Sequence, residues 1–273
     1  MDLLYRVDLT DPLSVGFWRL SLSAPVLLVL SRLYVGPGFW RLHRRDLLPL
    51  LLMVLGFAGY QVCYFAAILH IGVAAAVLVN ICSAPLFVAL LSGLFLGEKL
   101  TPVVGLALTC AIIGAVLLVG GSPEAANLAQ LFTGALLALG AGFAYSLVAL
   151  TGRVVAPRYH PVQPVALAVT FSALLLLPVV LALGLDLTYP AAGWGLLAYL
   201  ALVPTALGYG LYLRGLRTTT ATVSAIFALL EPLISTLLAV TLLGERLSPT
   251  GVLGGALLLG SVYFLYLRSS PRR

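Results

Sequence analysis

The sequence predicts an all-α polytopic membrane protein, an inverted-repeat helix bundle with nine visible spans. Two observations support this prediction: the composition of the chain and a motif that occurs twice. Of the 273 residues, 62% are hydrophobic and only 9% are charged, whereas about 25% of the residues in soluble domains are charged. A mean hydropathy of +1.12 over the whole chain leaves no room for a sizeable water-soluble domain.

The spans follow from the length of the apolar runs. A bilayer core of about 30 Å requires about 20 predominantly apolar residues in a helix. Only two of the predicted spans contain charged residues: Arg19 and, near its end, Arg32 in the first, and Glu231 in the eighth. The nine predicted spans are residues 12–34, 47–69, 72–96, 101–120, 131–152, 162–185, 191–213, 218–243 and 247–267.

The loops predict the orientation of the chain in the membrane. Lys and Arg residues concentrate in alternate gaps between the spans, which is typical of cytoplasmic loops. We therefore expect a multi-pass protein of the plasma (inner) membrane, with its C-terminus in the cytoplasm and its N-terminus outside. The basic residues on the predicted cytoplasmic side are Arg32, Arg41, Arg44, Arg45, Lys99, Arg153, Arg158, Arg214, Arg217, Arg268, Arg272 and Arg273.

A duplicated motif relates the two halves of the chain. The segment LGEKLTP at residues 96–102 recurs as LGERLSP at residues 243–249, an offset of 147 residues. At the same offset Pro85 corresponds to Pro232. The predicted spans place the two turns on opposite sides of the membrane, so the halves are inverted relative to one another.

This repeat predicts the domain organisation. The helix at 131–152 has no counterpart before Pro12, so the first half contains four helices and the second half five. Either the protein begins further upstream, or the chain works with nine helices. The predicted units are a four-helix, N-terminally incomplete repeat at 12–120, a five-helix repeat at 131–268, and short tails at 1–11 and 269–273.

These features resemble the EamA type of the drug/metabolite transporter superfamily. The resemblance rests on the proline in the fourth helix of each repeat, the G-E-[KR]-L-[ST]-P turn that follows it, Phe17-Trp18-Arg19 and Glu231-Pro232. Relative to the ten helices of that family, the first is missing here. The resemblance implies a secondary transporter that moves small organic metabolites such as amino acids or drugs by alternating access, often outward. The alternative is a non-transporting membrane scaffold or the truncated remnant of a transporter.

Glu231 is the leading candidate for a functional side chain. A carboxylate in mid-span costs about 2.5–3.5 kcal/mol on insertion scales, so such a residue usually faces a cavity or a partner. Helical spacing places Ser235 on the same face, and Pro232 removes one backbone N–H, a common feature of cavity-lining helices. Substrate binding and proton coupling are the functional alternatives. A structural carboxylate bonded to a neighbouring helix is the third.

Other polar and aromatic side chains at membrane depth extend this candidate site. Asn80 and Gln61 either line a cavity or join helices by hydrogen bonds. Tyr64, Tyr145 and Tyr209 are candidates for the substrate pathway, although aromatic residues more often serve packing. Arg19 is either an entrance residue or a packing residue. The predicted turn and gate residues are Pro85, Pro232, Gly97, Glu98, Gly244 and Glu245.

The remaining motifs argue against other functions. The sequence contains no hydrolase, metalloprotease or nucleotide-binding motif, so we expect no enzyme, no cofactor and no metal. Three cysteines within apolar spans match no metal-binding spacing. The basic residues lie in interspan gaps, which excludes nucleic acid as a partner. The expected partners are a small-molecule substrate, the lipid bilayer and protons, and the chain is expected to be a monomer or a homodimer.

Overall fold

The computed structural model describes residues 12–99, 101–119, 128–234, 237 and 249–269. Nearly all of these residues are helical, and no strand occurs among them. A π-helical turn, Ala201–Leu207, joins the helix Ala191–Leu200 to the helix Gly208–Gly215, and the helical residues that begin at Ala221 continue to Ile234. The helices are α1 Pro12–Val35, α2 Leu47–Leu96, α3 Pro102–Val119, α4 Leu128–Val155, α5 Val162–Leu183, α6 Ala191–Leu200, α7 Gly208–Gly215, α8 Ala221–Ala228 and α9 Pro249–Ser269.

The helices coincide with the predicted spans. Each of the nine predicted segments contains helix within the described residues. The segments with the length and apolar composition to cross a membrane are Pro12–Trp40, Arg44–Val73, Ala75–Leu96, Leu128–Val155, Val162–Leu183 and Ala191–Gly215. The shorter apolar helical segments are Pro102–Leu117, Ala221–Ile234 and Pro249–Phe264. A polytopic all-α protein is therefore the correct fold class.

Two glycines divide and end α2. Gly72 has φ 75° and ψ 165°, which is not helical, and it separates a first arm (residues 47–71) from a second arm (residues 73–96). Gly97 ends the second arm with φ 66°, and its N–H donates to the carbonyl of Ser92. Only glycine adopts such positive φ values without steric cost. The single helix Leu47–Leu96 therefore supplies two of the predicted spans.

Close backbone contacts hold the bundle together. Helix α4 packs along α2, α1 packs against α5, and α3 packs against α9. A Cβ added at Gly56 on α2 would lie 2.9 Å from the backbone oxygen of Ala144 on α4. Gly142 on α4 meets Ser83 of α2 in the same way. Small residues at such crossings let membrane helices approach closely and gain van der Waals contact.

One end of the bundle, here called the basic end, consists of the linkers at 36–46, 97–101, 156–161 and 216–220. These linkers bond to one another rather than standing apart. Arg217 donates to the carbonyls of Ala156 and Tyr159, and Arg153 donates to the carbonyl of Leu216. The ends of α4, α5 and α7 are therefore fastened together at the basic end.

A buried carboxylate completes this end. Asp46 is fully buried, pairs with Arg158 and accepts a hydrogen bond of 2.8 Å from the hydroxyl of Tyr159. Burial raises the pKa of the Tyr159 phenol, and the adjacent Asp46 carboxylate raises it further. The pair joins the linker before α2 to the linker before α5.

The opposite end is fastened by the linker at 184–190. The indole of Trp18 on α1 donates to the carbonyl of Asp186, and the N–H of Asp186 donates to the hydroxyl of Ser14. Hydrogen bonds from the N–H and hydroxyl of Thr188 hold the pKa of the Asp186 carboxyl below its usual value. This linker therefore seats on the first turns of α1.

The contact between α2 and α4 predicts different outcomes for two neighbouring glycines. Gly56→Ala places a methyl group against the α4 backbone, and overpacking of this kind costs about 1–3 kcal/mol. Gly59→Ala is the matched control, because its Cβ would lie 3.6 Å from the Cβ of Ala144, an ordinary contact. We expect Gly56→Ala to lower the unfolding temperature in detergent and Gly59→Ala to leave it unchanged or raise it. Equal unfolding temperatures would contradict this packing.

Candidate functional site

A cavity of about 550 Å³ lies inside the bundle, between α1, α2, α4, α6, α7 and the continuation of α8. Two charged residues of the predicted spans, Arg19 and Glu231, line this central cavity. Its volume falls within the range of about 300–1,000 Å³ that is common for small-molecule sites. The full lining is Arg19, Tyr60, Tyr64, Val73, Val77, Tyr145, Leu200, Pro204, Gly208, Tyr209, Tyr212 and Glu231.

Tyrosines form most of the polar wall of the central cavity. The rings of Tyr60 and Tyr64 are stacked, with centroids 5.3 Å apart and planes 10° apart. Tyr212 lies between the other two, with its ring centroid 6.4 Å from both Tyr145 and Tyr209. A wall of this kind presents aromatic faces and hydroxyl groups together, so it can contact both apolar and cationic parts of a ligand.

Arg19 is held in place by the π-helical turn. Its Nε donates a hydrogen bond of 2.7 Å to the hydroxyl of Thr205, which in turn donates to the carbonyl of Leu200 at 2.8 Å. A π-helical turn leaves carbonyls without their usual helical donors and often occurs at functional sites. The terminal guanidinium nitrogens of Arg19 make no hydrogen bond to another described residue, so they remain available to a ligand.

Glu231 stands across the central cavity from Arg19. It lies on the helical continuation of α8, and its side chain is accessible. The carboxylate and the Arg19 guanidinium attract each other electrostatically. They form no ion pair, since the one ion pair among the described residues joins Arg158 and Asp46. The central cavity is therefore lined by one positive and one negative side chain that do not form an ion pair with each other.

A smaller cavity of about 70 Å³ adjoins the central one and shares Tyr60, Tyr145 and Glu231 with it. This small cavity is lined by Pro85 and by Ile81, the residue four positions earlier. Ala228, which precedes Pro232 by the same four residues, lines it as well. Because proline has no N–H, it leaves the carbonyl four residues earlier without its helical donor. The two helical turns in which a proline removes a backbone hydrogen bond therefore both border the small cavity.

Asn80 is positioned by the second arm of α2 at the edge of the small cavity. Its side chain is 7% exposed, and its Nδ2 donates to the hydroxyl of Tyr60 over a long distance of 3.5 Å. Its Oδ1 has no hydrogen-bond partner among the described residues. A buried amide oxygen without a partner costs free energy, so a ligand donor at this place would be stabilised.

Gln61, a predicted pathway residue, lies apart from both cavities. Gln61 is buried between helices and donates from Nε2 to the carbonyl of Gly16 on α1, a bond of 3.3 Å. It lines neither cavity, and the contact with α1 matches its interpretation as a residue that joins helices. Ser235, Gly244 and Glu245 lie outside the described residues.

The glutamate of the first turn motif contacts the helix that leads to Glu231. Glu98 accepts hydrogen bonds from the N–H groups of Ala221 and Thr222, at 2.8 and 3.2 Å, and from the Thr222 hydroxyl. A carboxylate at a helix N-terminus satisfies free N–H groups and complements the helix dipole. Glu98 therefore fastens the start of α8 to the end of α2. Pro232 is buried next to Glu231.

Three residues that line the central cavity, Tyr60, Tyr212 and Pro204, are not among the site residues predicted from the sequence. Tyr60 and Tyr212 lie among many aromatic residues at membrane depth, and no pattern in the sequence distinguishes the two that face the central cavity. Pro204 could have been noticed, because a proline within a span leaves a backbone carbonyl unsatisfied. Among the described residues, no group of three or more metal-binding side chains occurs.

Comparison with known proteins identifies the family whose sequence pattern this chain matches. The model of the EamA-like transporter family matches residues 4–120 and 132–267. The uncharacterized transporter YwfM of Bacillus subtilis is 29% identical over 266 residues, which cover 96% of this chain and 86% of that protein. A probable terminal-alkyne amino-acid exporter of Streptantibioticus cattleyicolor is 28% identical over 265 residues, covering 94% of this chain and 86% of the exporter.

A solved structure shows the same fold. A crystal structure of a protein with 20% sequence identity superposes with a TM-score of 0.83, covering 99% of this chain and 93% of that chain. The helical arrangement described above is therefore shared with a protein known from experiment.

The Glu98 contact predicts a measurable effect on stability. Glu98→Ala removes the acceptor for both N–H groups at the start of α8, and the loss of such a cap costs about 0.5–2 kcal/mol. We expect a lower unfolding temperature in detergent, with Glu98→Gln intermediate because its amide keeps one acceptor oxygen. Lys99→Gln is the control, since it removes the exposed neighbouring charge. Equal unfolding temperatures for Glu98→Ala and Lys99→Gln would contradict the role of Glu98.

Proposed function

The chain belongs to the EamA-like transporter family, and we propose that it is a secondary carrier that exports or exchanges small zwitterionic metabolites, amino acids foremost. The relatives named transporters and exporters support a transporter, not an enzyme. The proposed location is the plasma membrane, and the proposed mechanism is alternating access.

The observation that carries this proposal is the pair of opposite charges in the central cavity. Arg19 and Glu231 line the same space without forming an ion pair. Charges within a membrane bundle are costly unless they are compensated. An amino acid supplies both missing partners, because its carboxylate can bind the guanidinium of Arg19 while its ammonium binds Glu231. Charge-assisted hydrogen bonds of this kind are the strong ones in recognition.

The tyrosine wall supports the same class of substrate. Stacked Tyr60 and Tyr64 provide an aromatic face beside the two charges. An ammonium group near an aromatic face gains cation–π attraction, and an apolar side chain gains burial. The unpartnered Oδ1 of Asn80 offers one further acceptor near Glu231. A small zwitterion with an apolar side chain therefore fits the lining better than a phosphate ester.

The contact between α2 and α8 supports two inverted repeats. At the offset of 147 residues, Ile81 corresponds to Ala228, and Ala84 corresponds to Glu231. All four residues line the small cavity. Corresponding positions of two repeats meet at one place when a pseudo-two-fold axis passes through it. We propose repeats at 12–120 and 131–268, with nine spans against ten in the family.

Repeats of this kind move past each other during transport. The linkers of the basic end are bonded together, whereas the central cavity reaches Val73, next to the break in α2 at Gly72. Because basic loops face the cytoplasm, we propose that the basic end is cytoplasmic. The C-terminus then lies in the cytoplasm, and the described state is closed on that side.

Transport by purified protein in liposomes tests the proposal. Uptake of a neutral amino acid such as leucine is compared with uptake of its decarboxylated amine and of its deaminated acid. We expect saturable leucine flux and weaker flux of both analogues. Glu231→Gln and Arg19→Gln should each reduce leucine kcat/KM about 10- to 100-fold, because each removes a hydrogen bond to a charged group.

The controls separate recognition from folding. In Arg19→Gln the preference for leucine over the amine should disappear, and in Glu231→Gln the preference over the acid should disappear. Arg32→Gln changes the same charge on α1 outside the central cavity and should retain wild-type flux. Wild-type selectivity in both cavity variants would exclude zwitterion recognition by this pair.

Proton coupling through Glu231 is a separate prediction. Glu231 is the acidic residue that lines both cavities, so its protonation can alternate with substrate binding. We expect the leucine flux of the wild-type protein to change between about pH 5 and pH 8, while the residual flux of Glu231→Gln stays constant over this range. Parallel pH profiles for the two proteins would exclude Glu231 as the coupling group.

A further inference from the structure

A second large concave surface lies on the outside of the bundle, between α1, the start of α5, the π-helical turn and α7. It has a volume of about 590 Å³ and shares no residue with the central cavity. We call it the outer groove. Its lining is Val26, Leu27, Leu30, Tyr34, His160, Pro161, Val162, Leu202, Ala206, Leu207, Gly210, Leu211, Arg214 and Arg217.

Basic side chains gather at one end of the outer groove. Arg217 is held by its hydrogen bonds to the carbonyls of Ala156 and Tyr159. Arg214, one turn earlier, is exposed, and its guanidinium group makes no hydrogen bond or ion pair with another described residue. His160 lies beside both, and its ring stacks on Tyr34 with centroids 5.3 Å apart. Burial and the charges of Arg217 and Arg214 lower the pKa of His160.

This basic cluster lacks a negative partner. No acidic residue occurs in the lining of the outer groove, and the nearby carboxylate of Asp46 is already paired with Arg158. Two guanidinium groups next to a histidine of lowered pKa form a local excess of positive charge. An anion bound there would relieve the repulsion among them and add charge-assisted hydrogen bonds.

The rest of the outer groove is apolar. Leu202, Leu207 and Leu211 are exposed along its wall, and Val26 and Leu30 of α1 face them across the groove. At Gly210 an added Cβ would meet no atom within 4 Å, so the groove is open at its centre. An apolar channel that ends at a basic cluster matches a molecule with a hydrocarbon chain and an anionic head.

We propose that the outer groove is a binding site for one anionic phospholipid of the phosphatidylglycerol class. The phosphate contacts Arg214 and Arg217, and one acyl chain lies between α1 and the π-helical turn. Basic pockets between membrane helices on the cytoplasmic side commonly bind anionic headgroups. A free phosphate would use only the basic end, and a choline lipid would bring a cation to a cluster that has no acid. The assignment to the cytoplasmic leaflet rests on the proposed orientation.

The bound lipid would contact the same segment that positions Arg19. Leu202, Ala206 and Leu207 of the π-helical turn face the outer groove, whereas Pro204 lines the central cavity. Thr205, between them, accepts the hydrogen bond from Arg19. The lipid therefore packs behind the turn that holds one of the two cavity charges.

Native mass spectrometry of the delipidated protein in detergent tests the proposal. Phosphatidylglycerol is added in increasing amounts, with phosphatidylcholine of the same chain length in a parallel series. We expect one tightly bound phosphatidylglycerol and much weaker phosphatidylcholine binding. Arg214→Gln should weaken the first phosphatidylglycerol site about fivefold. Arg45→Gln, an equal charge change at the same end but outside the groove, should leave it unchanged.

A steric variant tests the acyl-chain position. Gly210→Leu places a side chain in the groove from a position where an added Cβ meets no atom within 4 Å, and it should weaken the same site, whereas Gly195→Leu should not. Gly195 is the matched control, since it lies on α6 with open space at its Cβ and outside the groove. Circular dichroism and the unfolding temperature of each variant establish that it is folded.

Several results would overturn the proposal. Equal affinity for the two lipids would show that the charge cluster does not select the headgroup. Displacement of the lipid by inorganic phosphate at similar concentration would indicate a phosphate site. A dimer that disappears in Gly210→Leu would identify a second copy as the occupant. Lipid binding is measured without transport, so a failure to bind phosphatidylglycerol would overturn the lipid site and not the carrier function. A failure to transport leucine would overturn the carrier function and not the lipid site.

Discussion

Electrostatic compensation inside an apolar bundle is the constraint on which the rest of the structure depends. Arg19 on α1 and Glu231 on the helical continuation of α8 both line one internal cavity. Neither could face hydrocarbon without a large free-energy cost. The cavity formed by α1, α2, α4, α6, α7 and the continuation of α8 provides both groups with a polar space inside the bundle. The hydrogen bond from Arg19 to Thr205 keeps one of them in a defined position.

The two ends of the bundle serve this arrangement in different ways. At the basic end, backbone carbonyls accept hydrogen bonds from Arg153 and Arg217, and Glu98 caps α8. Each of these contacts joins segments that belong to different helices. At the opposite end, the linker at 184–190 rests on α1. The proposed alternating access requires ends that separate in turn, and hydrogen bonds between linkers suit this better than a continuous apolar core.

Much of this architecture could be predicted from the sequence, for physical reasons that differ between elements. The helices could be predicted because a bilayer requires long apolar runs. For example, the bounds of α5, Val162–Leu183, lie close to the predicted 162–185. Glu231 could be singled out from the sequence because a lone charge in such a run is rare. Gln61 and Asn80 could not be told apart, because both are amides on apolar helices. Only the packing shows that Gln61 bonds to Gly16 whereas Asn80 borders a cavity.

Other features depend on relations that a single sequence does not contain. The selection of Tyr60 and Tyr212 from the tyrosines follows from the rotation of each helix about its own axis. That rotation is set by contacts such as Gly56 against Ala144. The roles of the residues in the central cavity remain proposals, and Ser235, Gly244 and Glu245 lie outside the described residues. The proposed repeat relates Ala84 to Glu231, and both residues line the small cavity.

The π-helical turn has a consequence for the angular phase of α7. Relative to an α-helix, a π-helical turn accommodates one extra residue, and each helical residue advances by about 100°. The turn at Ala201–Leu207 therefore sets which faces of α7 point inward and outward. Tyr209 and Tyr212 face the central cavity, while Gly210 and Arg214 face the outer groove. Loss of a single residue from this turn would rotate all four away from their present surroundings, so its length constrains both surfaces at once.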